Sequence, residues 1–119
     1  MALTACEAAY RYGNEWYEEV KKYIYANIEF TDKFLKENIP QVKLIYPEGT
    51  YLMWLDFGSL NISDEKLNDV IVNKAKLWLD GGSIFGEEGE GFQRINAACP
   101  RSVLKEALER IEKVVKEIR

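Results

Sequence analysis

From Asn14 to about Asn38 the residues Trp16, Val20, Tyr23, Ile24, Ile28, Phe34 and Leu35 recur at three- and four-residue spacing. This pattern constrains the fold more than any other stretch, because an apolar stripe of that period and length is a long amphipathic helix that needs a core to lie on. Glu18 and Glu19 precede Lys21 and Lys22 at helical i,i+3 and i,i+4 spacing, so the charged run is a solvated face, and Pro40 blocks continuation. Upstream, Ala2 to Tyr12 is Ala-rich and also helix-like, with a break at Gly13-Asn14 and Asn14 as the candidate N-cap of the longer helix. A helix that opens at residue 2 without a capping residue fits a chain cut from something longer; a frayed native start is the competing view.

After the helix the period changes. "QVKLIYPEGTYLMWLDFG" reads as strands over 41–46 and 50–57, joined by the turn signal Pro47-Glu48-Gly49. The second is apolar on both faces, with Leu52 and Trp54 on one and Tyr51, Met53, Leu55 and Phe57 on the other, which predicts a central strand or one covered on both sides. Ser63 is the N-cap expected for a helix over 64–79, with Asp64 and Glu65 in its first turn, Gly81-Gly82 beyond its end, and an inner stripe of Leu67, Val70, Ile71 and Trp78. A glycine-rich loop leads to a strand over 92–99, and a last helix carries Leu104, Leu108, Ile111, Val115 and Ile118 along one side. The fold class is therefore α+β: a small, largely antiparallel sheet covered by helices and preceded by a long helix.

Composition narrows the functions open to such a domain. With 119 residues and 47% apolar content the chain has material for one core and is not a disordered tail. A net charge of −4 argues against a nucleic-acid footprint, which needs clustered cations. No run approaches the ~20 apolar residues of a membrane span, and "MALTACEAAY" lacks a signal-peptide pattern, so a cytoplasmic protein without a membrane partner is expected. Cys6 and Cys99 are too few for a disulfide framework and read as two buried thiols. The absence of histidine removes Ser-His and Cys-His nucleophilic pairs, imidazole acid/base chemistry and His-based metal sites, and no metal is expected.

Three stretches carry candidate chemistry. In "GFQRINAACPR", strand alternation sends Ile95, Ala97 and Cys99 to one face and Phe92, Arg94, Asn96 and Ala98 to the other. A guanidinium there needs a partner, and its planar fork matches a carboxylate bidentately; the partner is either an internal Asp or Glu or a ligand carboxylate. The loop "GSIFGEEGEGF" puts Gly86, Gly89 and Gly91 where positive φ or close approach is needed, while Glu87, Glu88 and Glu90 repel phosphate. "SDEK", 63–66, matches the S-x-x-K pattern of some acyl enzymes, but an N-cap serine followed by an exposed Lys66 is the better account. The sequon at Asn61 has no meaning in a cytoplasmic protein.

Together, "ALTACEAAYRYGNEWYEEV", "PEGTYLMWLDF" and "GSIFGEEGEGFQRINAACPRSVLKEALERI" closely resemble the C-terminal part of fold-type I pyridoxal-phosphate (PLP) enzymes. Within them the chain most resembles the aminotransferase-like cystathionine β-lyases, or C-S lyases, of the class I/II aminotransferase family. The resemblance covers essentially the whole chain. It implies a helical connection from a large domain over 1–13 and a C-terminal small domain over 14–119. It also implies that Arg94, the arginine of the R-x-N segment, binds the α-carboxylate of an amino-acid substrate.

In that family the Schiff-base lysine, the acidic partner of the pyridine nitrogen and the phosphate-binding groups belong to the large domain, and no residue here matches them. The resemblance thus implies a chain inactive alone, with no catalytic or cofactor-binding residue of its own. The complete enzyme would carry PLP and form a homodimer. The alternative is a free-standing amino-acid-binding or protein-interaction module with the same fold. Lyase and transaminase are not separable at this level, because both use the carboxylate arginine.

Overall fold

The protein is described here by a computed structural model, in which residues 1–118 are described. Helices α1 (Ala2–Tyr12) and α2 (Asn14–Asn38) lead into strands β1 (Lys43–Ile45) and β2 (Leu52–Asp56). There follow helix α3 (Asp64–Asp69), strands β3 (Asp80–Gly81) and β4 (Phe92–Asn96), and helix α4 (Arg101–Glu117). The strands form one antiparallel sheet in the order β1-β2-β4-β3, which makes β2 central, as its apolar sequence predicts.

Alternation decides what each face of the sheet carries. Met53, Leu55, Phe57, Ile95 and Ala97 point to one side, where they join Ile28 and Leu35 of α2, Leu67 and Ile71, and Leu104, Leu108 and Ile111 of α4 in a single core. Gln93 shares that side, buried, and donates from Nε2 to Asn68 Oδ1 at 2.7 Å. On the other side Leu52, Trp54, Phe92 and Arg94 are only half-buried and Asn96 is exposed. The helices therefore cover one face, not both, so of the two alternatives left by the sequence β2 takes the first: it is a central strand, with one face open.

The long helix is buried over only part of its length. Asn27, Ile28, Thr31 and Leu35 are buried, whereas Trp16 is 70% and Tyr23 47% exposed and α1 buries nothing. The apolar stripe read as continuous from Trp16 thus meets the core only from about Ile24 onward. Asn14 does not cap α2: Gly13 occupies the cap position, no side chain caps the helix, and Asn14 is its first residue. Asn27 ties α2 to the end of β4, donating to the carbonyls of Ala97 at 2.7 Å and Cys99 at 2.9 Å and accepting from Arg101 Nε.

Ser63 caps α3 as expected, its Oγ accepting from the Lys66 N–H at 3.3 Å. The helix predicted to reach residue 79 stops early, because Val70–Lys74 widens into a π-helical turn and Lys76 adopts φ 56°. The π turn inserts a residue and breaks the phase of the apolar stripe, so Leu67, Val70 and Ile71 are buried but Trp78, beyond the break, is 90% exposed. The freed segment runs back to form β3, a strand that sequence alone left inside a helix end and loop. Nor are the cysteines two buried thiols: Cys6 is exposed and Cys99 half-buried. No helix among the described residues is long and apolar enough to cross a membrane.

Candidate functional site

Arg94 sits on β4 in a row that crosses the whole open face. Ile45 pairs with Trp54, Trp54 with Arg94, and Arg94 with Asp80, one residue from each strand in register. Because residues in register on one face lie side by side, Asp80 is delivered to Arg94 by the strand pairing itself. Asp80 Oδ2 accepts from Arg94 Nη2 at 2.7 Å and from Nε at 3.2 Å. A guanidinium has five N–H donors, so this contact occupies two and leaves three, including both on Nη1, without a hydrogen-bond partner among the described residues.

Aromatic rings hold the same group from another direction. The Phe85 ring lies under the guanidinium, its centroid 4.6 Å from Cζ, and meets Trp54 edge-on at 5.3 Å. Trp54 is in turn flanked by Phe92 at 6.0 Å. Stacking on an aromatic face favours a planar cation and fixes its plane, which an ion pair alone does not.

The loop that presents Phe85 is anchored at two points, Ser83 and Gly91, to one carboxylate, which Asn68 of α3 also holds. Asp64, in the first turn of α3, accepts from Ser83 Oγ at 2.7 Å and Asn68 Nδ2 at 2.9 Å through Oδ2, and from the Gly91 N–H at 3.2 Å through Oδ1. Gly91 adopts φ 81°, and Gly82 and Gly89 lie backbone against backbone with no room for a Cβ on either. The glycines therefore serve a tight fold-back of the loop, close approach and positive φ, as their spacing predicted.

Arg94 and Asp80 open onto a cleft of about 520 Å³ whose walls include Tyr51, Leu52, Trp78, Leu79 and Val103. It is a mostly apolar cleft with one oriented cation at its side, an arrangement suited to a small anion carrying a carbon skeleton. Cys99 also borders it; burial pushes its thiol up, against a smaller opposing pull from a backbone hydrogen bond to Leu104. Lys66, the lysine of the S-x-x-K stretch, lies outside this cleft and faces Asp69 at 4.0 Å.

Arg94 was legible as a residue needing a partner, but Asp80, Phe85 and Trp54 were not marked as that partner set. Asp80 follows a run that reads as a helix end, and only the register of the two-residue strand brings it to Arg94.

No family model matches the chain. Cystathionine β-lyase PatB of Bacillus subtilis is 40% identical over 111 residues, 93% of this chain and 29% of that protein. Protein MalY of Escherichia coli is 34% identical over 119 residues, 100% of this chain and 30% of its own length. Among solved structures, PLP-containing cystalysin from Treponema denticola superposes with a TM-score of 0.93 at 38% identity, covering 98% of this chain and 29% of that one. The chain thus spans about three-tenths of the length of the relatives it matches. It belongs to the family of PLP-dependent cystathionine β-lyases and aminotransferases, whose C-terminal portion it matches.

Proposed function

We propose that the chain is the domain that binds the substrate α-carboxylate in a PLP-dependent C-S lyase or aminotransferase, with residues 1–13 the helical connection and 14–119 the small domain. The observation that carries this reading is Arg94: a guanidinium on a rigid strand, paired on its Nε side, with both Nη1 donors unpaired among the described residues, beside a cleft. That edge can accept a carboxylate bidentately and hold the rest of an amino acid in a fixed orientation, which is how a binding residue contributes to rate.

The residues lining the cleft do not fit PLP itself. None is a lysine that could take the cofactor's aldehyde, and the one cation, Arg94, already faces Asp80 instead of a phosphate. The proposal accordingly assigns cofactor and chemistry to the remaining part of the enzyme, and the chain alone is inactive. Two exposed regions support a covering domain: the open face of the sheet, and the elbow between α1 and α2, where Tyr10, Trp16 and Tyr17 line a cavity of about 560 Å³. Homodimerisation and a cytoplasmic location belong to the same proposal for the complete enzyme.

The reading is tested by replacing Arg94 with Ala in the complete enzyme. KM for the amino-acid substrate should rise about a hundredfold, the scale of removing one side of a desolvated charge pair. An unchanged KM would contradict the assignment. The isolated chain mixed with PLP and amino acids should show no turnover, and any turnover would contradict its assigned role.

A further inference from the structure

We propose that Asp80 is a positioning residue for substrate binding: it holds the Arg94 guanidinium by its Nε side so that the Nη1/Nη2 edge faces the incoming carboxylate. This rests on the reading of Arg94 as the carboxylate-binding residue and adds a second residue to it.

The geometry carries the inference. A carboxylate that met the arginine end-on, across Nη1 and Nη2, would consume the edge a substrate carboxylate needs. Here a single oxygen, Oδ2, takes both the Nε and Nη2 protons, and that contact lies along the side of the guanidinium. The end-on edge, made of the Nη1 donors and the second Nη2 proton, is left over. Asp80 cannot easily swing to the other edge, because β3 fixes its backbone opposite Arg94 and Gly81 pairs with Gln93 next to it. The Phe85 ring, 4.6 Å from Cζ, adds a cation–π contact to the face of the guanidinium.

The Asp80 carboxylate thus selects the edge of the fork that stays free, and the Phe85 ring adds a second contact to the same group. A side chain with several rotatable bonds would otherwise have to be ordered when substrate binds, at a cost in affinity. Asp80 also offsets part of the Arg94 charge before substrate arrives. The pair is partly solvated, with side-chain exposures of 26% and 45%, so it neither strands a buried charge nor dominates stability.

The inference separates from a merely structural role by its dependence on the substrate carboxylate. In the complete PLP-loaded enzyme, L-alanine and L-alaninamide are compared as competitive inhibitors of turnover, for the parent, Asp80→Ala and Arg94→Ala. Asp80→Ala should weaken L-alanine about fivefold, the scale of a half-exposed charge pair, and leave L-alaninamide unchanged. Arg94→Ala should abolish the preference for the carboxylate. Equal weakening of both ligands by Asp80→Ala, no weakening, or tighter L-alanine binding would each overturn the role of Asp80 while leaving Arg94 in place. A carboxylate preference that survives Arg94→Ala would instead overturn the underlying reading of Arg94.

Discussion

The two faces of the sheet are made by alternate residues of the same strands, yet they differ in almost every physical respect. On the covered face Met53, Leu55 and Ala97 are fully buried, and Gln93 is satisfied by Asn68. On the open face Trp54, Arg94 and Asp80, in register with one another, remain partly exposed and form an aromatic and ionic row. Core packing sets what the first face tolerates. The same division runs along α2, whose second half contributes to the core while its first half and α1 stand apart from it.

Substitutions should reveal this division as a gradient in stability. Leu55→Ala on the covered face removes a fully buried side chain and should cost about 3 kcal/mol in urea unfolding. Asn27→Ala should cost about 2 kcal/mol, since it leaves the Ala97 and Cys99 carbonyls and the Arg101 Nε without their partner. Trp54→Ala, one residue from Leu55 but on the open face, should cost only about 1 kcal/mol, the worth of its edge-on contacts with Phe85 and Phe92. Equal losses for Leu55 and Trp54 would mean that the open face is a second core and would break the comparison.

The cysteines test the same contrast with a smaller effect. A thiol whose titration is pushed up carries less thiolate at any pH below that point, so iodoacetamide at pH 8 should label half-buried Cys99 slowly. Exposed Cys6 on α1 should react first; the reverse order would place α1 against the core.

Much of this architecture was readable from the chain. The 3.6 period located α2 and found α4, the Ala-rich start marked α1, and the alternation in 92–99 assigned Ile95 and Ala97 to one face and Arg94 to the other. What was not readable depended on contacts remote in sequence. The apolar residues of α2 do not announce that its first two turns stay outside the core of the described residues. The π turn at Val70–Lys74 has no local signature, and without it β3 and the pairing of Asp80 with Arg94 do not follow. Residue types alone left the partner of Arg94 open between an internal carboxylate and a ligand. The geometry makes both possible together: an internal partner takes one side of the fork and leaves the other.

The central claim, that the open face holds a substrate carboxylate on Arg94, is tested most directly by a crystal structure of the complete PLP-loaded enzyme with a bound amino acid. The account predicts two carboxylate oxygens on the Nη1/Nη2 edge of Arg94, with Asp80 still on its Nε side. A carboxylate held by another residue, with Arg94 contacting only Asp80, would contradict it.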